Sequence, residues 1–262
     1  MTVVLDLDGV VWLADRPIDG AADAVARLRA GGHRVVFVSN NSFAPVSEVE
    51  AKLAGFAIPA AGDVLTSAVA AATLVKPGDR VLLCAGPGAG EALTKAGAEV
   101  VTDGDAEAVV VGFHRSFDYE ELCRAATAVR RGARLIGTND DATYPTPNGS
   151  IPGGGSILAA VATGAGVTPV VAGKPYEPMA DLVRAELGAD LDGAVMVGDR
   201  PDTDGRFART IGCRFGLVFS GVTRRSDLPV NPTPDLVAED LAGLADILLN
   251  AQRSEGGGQG AG

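Results

Sequence analysis

An α/β fold with a parallel sheet covered by helices on both faces is predicted for this chain by three observations. Short aliphatic runs alternate with helical patterns: Val3-Leu7, Ala21-Ala30, Val35-Val38 and Val46-Leu53, and later Val170-Val171, Met179-Leu187, Ala194-Val197 and Ile211-Gly216. This is the βαβ rhythm of a parallel sheet. The composition is 47% hydrophobic yet only 5% aromatic, which suits small helices packed on aliphatic strands. Finally, 262 residues suffice for one large α/β domain or for a core carrying an inserted second domain.

The first run, Val3-Leu5, ends in Asp6 and Asp8; the run Val35-Val38 ends in Ser39-Asn40-Asn41. The run Val170-Val171 leads to Lys174, and Ala194-Val197 leads to Asp199. In an open α/β sheet, ligands bind at the carboxyl ends of the strands. Four polar ends of one sheet are therefore expected to converge on a single crevice. Between the second and third of these lies a segment, residues 66–170, with its own alternation: Arg80-Cys84, Gly90-Ala96, Ala108-Val111, Tyr119-Arg130, Arg134-Ile136 and Ile157-Thr163. It is predicted to be an inserted α/β domain covering the crevice, with 1–65 and 171–251 forming the core and 252–262 a disordered Gly-rich tail. The loop from Asn139 to Gly155 is rich in Pro, Gly and Asn and is expected to face the crevice.

Charge and cysteine usage narrow the function classes. A formal net charge of −11 argues against nucleic acid, which requires a clustered basic face. The three cysteines, Cys84, Cys123 and Cys213, are widely spaced and lie in apolar or helical contexts, so buried reduced thiols are expected. No leader pattern precedes Val3, and no apolar run approaches membrane-spanning length, so a cytoplasmic protein without membrane contact is expected.

The chemistry begins at Asp6-Leu7-Asp8-Gly9. Residues two apart at a strand's end lean to the same side, so both carboxylates can approach one substrate. Asp6 is the candidate nucleophile: attack on phosphorus gives an acyl phosphate that water later hydrolyses. Asp8 is the candidate general acid/base, protonating the leaving alkoxide and then taking a proton from water. A carboxylate and a phosphate repel, so a hard cation is required. Mg²⁺ fits, with side-chain oxygens from Asp6 and Asp199 and the backbone carbonyl of Asp8. In Gly198-Asp199-Arg200-Pro201-Asp202-Thr203-Asp204, Asp204 is favoured over Asp202 as the carboxylate that orients metal-bound water or Asp199. Ser39 and the amides of Asn40 and Asn41 can donate to phosphoryl oxygens, and Lys174 adds a compact positive charge.

With these residues in place the chain resembles the haloacid dehalogenase (HAD) superfamily phosphatases with a large α/β cap, the NagD-like group. The motifs DLDGVVW from Asp6, VSNNS from Val38, GKP from Gly173 and GDRPDTD from Gly198 occur in the family's order. The resemblance implies a Rossmann-like core with an inserted α/β cap. It also implies a phospho-aspartate mechanism with Asp6 as nucleophile, Asp8 as acid/base, Ser39 and Lys174 on phosphate, and Asp6, Asp8 and Asp199 on Mg²⁺. The implied partner is a small phosphorylated metabolite, and a cap-mediated homodimer is compatible with it. Asn139, Asp141 and His114 are candidate substrate contacts of the cap. His114 stands where many relatives carry an acidic residue, and Gly205-Arg206 follows Asp204 where an aliphatic residue is more usual.

Plainer readings hold elsewhere. Gly86-Pro87-Gly88-Ala89-Gly90 lacks dinucleotide-fingerprint spacing and reads as a tight strand-to-helix turn. Ser156, before Ile157-Leu158-Ala159, reads as a helix cap, and His33 as a surface turn residue. Trp12 is expected to pack under the loop after Asp6. The leading function is phosphomonoester hydrolysis. Its rivals are a phosphotransferase or mutase on the same scaffold, and a non-catalytic module that binds a phosphate ligand.

Overall fold

The first aliphatic run forms a strand, Thr2–Leu5, whose four residues are all buried. In the computed structural model, which describes residues 1–146 and 149–256, this strand lies between two parallel neighbours. Leu5 pairs with Val197 of strand Val195–Gly198 on one side and with Phe37 of strand Arg34–Ser39 on the other. The order continues outward from Val195–Gly198 through Arg214–Val218 to Leu236–Ala238, all parallel. Val3, Val4 and Leu5 of this strand are apolar on both sides because helices cover both faces of such a sheet.

The chain divides into two compact units, one of Met1–Val38, Ala51–Asp63 and Glu186–Gly262, the other of Ser39–Glu50 and Val64–Ala185. In the first, helix Ala21–Ala30 buries Ala24, Val25 and Leu28 and packs on the C-terminal helix Leu241–Gly256, which contributes Leu241, Leu244, Ala245 and Leu248. Arg27 joins the two by ion pairing with Asp246 and also pairs with Asp23 within its own helix. The terminal helix extends five residues into the segment predicted to be disordered. Once its first three turns are anchored, each further residue adds a hydrogen bond at little cost. Residues 257–262 of that predicted tail lie outside the described residues.

The second unit carries its own five-stranded parallel sheet, in the order Val170–Val171, Arg134–Gly137, Ala108–Val111, Arg80–Cys84 and Glu99–Val101. Its central strand, Ala-Val-Val-Val, is fully buried. Helices Tyr119–Arg130 and Gly154–Ala165 supply Ala125, Val129, Leu158 and Val161 to the core on this sheet. An antiparallel pair, Thr143–Thr146 with Gly149–Pro152, projects from the loop before Gly154.

Several expectations are corrected here. Val170–Val171 pairs with Ile136 and Gly137 in the second sheet, so the strand leading to Lys174 does not belong to the sheet that carries Asp6. Two valines hold too little pattern to choose between sheets; the choice is made by tertiary pairing, which Ala172 N–H extends to Gly137 O at 2.8 Å. The units also divide the chain at other points than those predicted, since Ser39–Glu50 and residues 171–185 group with the inserted segment. His33 is 5% exposed rather than on the surface. Its N–H is held by Leu28 O at the end of the first helix, which turns the ring inward. Ser156 is not a cap: the helix starts at Gly154 after Gly153, and Ser156 Oγ donates to Ala142 O at 2.8 Å. Asp141 O and Ala142 O already accept the Gly155 and Gly153 N–H groups, so no hydroxyl is needed. The Gly86-Pro87-Gly88 segment is the predicted tight turn, running from strand Arg80–Cys84 into helix Pro87–Lys95. No helix among the described residues is long and apolar enough to cross a membrane.

Candidate active site

In the first unit, sheet register brings carboxylates together. Asp6 follows Leu5, Asp199 follows Gly198, and Leu5 sits opposite Val197, so the two acids emerge from neighbouring strand ends. The Asp6 N–H bonds Val197 O at 2.9 Å, completing the ladder. A π-helical turn, Pro201–Gly205, then returns Asp204 toward the strand it left. Turns of this kind recur at functional sites. Carboxylate oxygens of Asp6, Asp199 and Asp204 all lie within 4.8 Å of one another, and all three residues are buried. Asp202, on the same turn, is exposed.

Two glycines make this packing feasible. Gly9 has φ +84°, and a Cβ there would meet Asp199 Oδ2 at 2.5 Å. A Cβ on Gly198 would meet Asp204 Oδ2 at 2.2 Å. Asp199 Oδ2 accepts from Val222 N–H at 2.6 Å and Asp204 Oδ2 from Arg200 N–H at 3.2 Å, so backbone donors fix both carboxylates. Asp8 Oδ1 accepts from Trp12 Nε1–H at 3.0 Å. Trp12 is buried as expected, but its donation to Asp8 is a role that the sequence reading did not assign to it.

Three carboxylates gathered at this distance repel strongly unless a cation lies among them. The donors are all hard oxygens, with no thiolate or imidazole among them, which is the chemistry of Mg²⁺ or Ca²⁺ rather than of a softer ion. The residues present therefore fit the predicted Mg²⁺.

The second unit assembles the other predicted residues. Asn40 is its hub: Nδ2 donates to Asp141 Oδ2 at 3.1 Å and to Lys174 O at 3.0 Å, and Oδ1 accepts from Lys174 N–H at 2.7 Å. Its backbone carbonyl accepts from Asn139 Nδ2 and from Ser67 Oγ, each at 2.7 Å. The carboxamide predicted to face phosphate thus grips the backbone of Lys174, a residue only 2% exposed. Ser39 Oγ accepts from Asn41 N–H at 3.0 Å, which leaves its hydroxyl hydrogen as a donor, and Asn41 Oδ1 accepts from Phe43 N–H. His114 is placed with Cys84, Ser116 and Glu121. Asn139 and Asp141, its companions in the sequence reading, are held together through Asn139 Oδ1, which accepts from Asp141 N–H at 3.2 Å.

Comparison with known proteins settles the family. The model of haloacid dehalogenase-like hydrolases matches residues 3–99, and that of HAD-hydrolase-like proteins matches residues 171–244. An acid sugar phosphatase of Staphylococcus saprophyticus is 34% identical over 235 residues, spanning 88% of this chain and 91% of that protein. The chain belongs to the haloacid dehalogenase-like hydrolase family. Among solved structures of this HAD-like type, a p-nitrophenyl phosphatase from Archaeoglobus fulgidus superposes with a TM-score of 0.87 at 32% identity, covering 94% of this chain and 98% of that one. Glycerol phosphate phosphatase from Mycobacterium tuberculosis, solved in complex with magnesium, gives a TM-score of 0.85 at 34% identity, covering 93% of this chain and 75% of that one. The HAD-like core and the phosphatase character of these relatives agree with the α/β fold and the hydrolase chemistry read from the motifs.

Proposed function

We propose that this chain is a Mg²⁺-dependent phosphatase that hydrolyses small phosphomonoesters through a phospho-aspartate on Asp6. The observation that carries the reading is the buried trio of Asp6, Asp199 and Asp204, with oxygens within 4.8 Å of one another at the ends of adjoining parallel strands. The side chains of Asp6 and Asp199 and the backbone carbonyl of Asp8 would hold the metal, with Asp204 orienting metal-bound water or Asp199. When bound, Mg²⁺ supplies the positive charge that lets an anionic nucleophile meet an anionic ester.

An Asp6 carboxylate oxygen attacks phosphorus and the bond to the leaving oxygen breaks. Asp8 gives its proton to that oxygen, releasing an alcohol. Water then attacks the phosphorus of the acyl phosphate while Asp8 takes back a proton, so inorganic phosphate leaves and the Asp6 carboxylate is restored. Ser39 and Lys174 serve the same phosphoryl group as hydrogen-bond donor and as cation. Asn40 acts through them as a positioning residue. The inserted segment 66–170, part of the second unit, selects the substrate, with Asn139 and Asp141 as its polar contacts. The relatives are named for sugar phosphates and glycerol phosphate, which supports a small phosphorylated polyol or sugar as substrate.

The test is release of inorganic phosphate from 4-nitrophenyl phosphate and from a panel of small phosphate esters, with and without Mg²⁺, using Asp6→Asn as control. Mg²⁺-dependent release by the wild type alone supports the proposal. Equal inertness of both proteins across the panel favours a binding module, and transfer to an added alcohol in place of water favours a phosphotransferase.

A further inference from the structure

The second unit contains a group of side chains that the phosphatase chemistry does not use. Cys84 ends strand Arg80–Cys84, His114 lies in the loop after strand Ala108–Val111, and Glu121 stands in the first turn of helix Tyr119–Arg130. Cys84 Sγ lies 3.8 Å from His114 Nε2, which is 3.6 Å from Glu121 Oε1, and one ligand atom from each residue falls within 4.8 Å of both others. We propose that Cys84, His114 and Glu121 form a binding site for a thiophilic divalent cation, Zn²⁺ in the first instance, separate from the carboxylate site of Asp6.

Distances, charge and support agree. Zn²⁺ bonds of about 2.3 Å to sulfur and 2.0–2.2 Å to nitrogen and oxygen place tetrahedral ligands about 3.3–3.6 Å apart, within a few tenths of an ångström of the Cys84–His114 and His114–Glu121 separations. A thiolate, a neutral imidazole and a carboxylate sum to two negative charges, which one divalent ion balances in a place where Cys84 is 0% and His114 8% exposed. His114 Nδ1 lies 3.2 Å from Ser116 Oγ, the outer contact that holds a ligating imidazole in the tautomer with Nε2 facing the metal. The Phe117 ring stands edge-on to the imidazole at 5.9 Å. Glu121 is fixed by its helix cap, Asp118 Oδ1 accepting from its N–H at 2.8 Å. Its side chain is 19% exposed and gives the ion a way in, with water as fourth ligand. Sulfur and nitrogen donors exclude Mg²⁺ as the preferred occupant. Burial and the Glu121 carboxylate push the Cys84 thiol well above its ordinary pKa. Binding therefore expels the thiol proton to solvent and strengthens as pH rises.

The site is tested on the full chain, stripped of metal and then held in excess Mg²⁺ so that the carboxylate site is filled. Co²⁺ titrated into this protein is expected to raise a thiolate-to-cobalt charge-transfer absorption that saturates at a single equivalent and is erased by Zn²⁺. Cys123→Ser keeps the band, Cys84→Ser loses it, and His114→Gln weakens cobalt affinity by more than about tenfold. Cobalt bound at Asp6 gives no thiolate band, so phosphatase activity and this site are scored separately. Absence of the band in the wild type overturns the proposal without reference to any variant, and so does a band that persists in Cys84→Ser.

Discussion

The indole Nε1–H of Trp12 donates a 3.0 Å hydrogen bond to Oδ1 of Asp8. Trp12 is in turn held edge-on against Phe56 at 6.1 Å, with Lys52 Nζ 4.3 Å from the ring centroid. The proposed acid/base is therefore oriented by a buried ring four residues further along. Trp12→Phe preserves the packing and deletes the donor. Because hydrogen bonds to ionised groups are worth about 1.5–3 kcal/mol, kcat is expected to fall roughly ten- to hundredfold with KM little changed. Steady-state kinetics on 4-nitrophenyl phosphate check this, and an unchanged kcat removes Trp12 from any part in catalysis.

Gly198 sets the position of Asp204. A methyl group there would fall 2.2 Å from Asp204 Oδ2, and Asp204 is 1% exposed with nowhere to retreat. Gly198→Ala is expected to raise the Mg²⁺ concentration needed for half-maximal activity by about 10–100-fold, the usual effect of disturbing a carboxylate beside a metal site. Mg²⁺ titration of the variant provides the measurement.

Asn40 joins the backbone of Lys174 to Asp141 through three side-chain hydrogen bonds. Asn40→Ala removes all three of these hydrogen bonds in a part-buried place, a loss of about 2–4 kcal/mol in stability. Urea denaturation should report it, together with reduced phosphatase activity from a less firmly held Lys174. A variant as stable as the wild type contradicts the hub role.

Asp235 links pH to stability. Burial alone would raise its pKa, but Phe215 N–H and the Arg209 guanidinium, each at 2.7 Å, outweigh burial and hold the carboxyl below its ordinary value. The resulting stabilisation is present above the unfolded carboxylate pKa of about 4 and is lost as pH falls through the depressed folded value. The Tm difference between wild type and Asp235→Asn is expected to be largest near neutral pH and to close under acid. A gap that widens on acidification contradicts the assignment.

The reach of the sequence was uneven for physical reasons. Asp6 and Asp199 were legible because long aliphatic strands such as Thr2–Leu5 and Val195–Gly198 announce their own ends, and parallel register places those ends side by side. Asp202 and Asp204 share the π-helical turn Pro201–Gly205, which exposes the first and buries the second, a difference that sequence alone does not encode. The sheet that carries the strand before Lys174 is not legible in the sequence, because a two-residue strand has no periodicity to read. The grip of Asn40 on Lys174 spans 134 residues of chain; an amide's choice among distant partners is made by tertiary structure and leaves no local trace. The grouping of Cys84, His114 and Glu121 leaves no local trace for the same reason.

The account rests most directly on covalent phosphorylation of Asp6. Wild-type protein mixed with 4-nitrophenyl phosphate and Mg²⁺ and quenched with borohydride should carry homoserine at position 6, the product of reducing an acyl phosphate, as read by peptide mass spectrometry. The label should vanish without Mg²⁺ and in Asp6→Asn. Rapid release of phosphate with aspartate intact at position 6 in every quenched sample would contradict the mechanism.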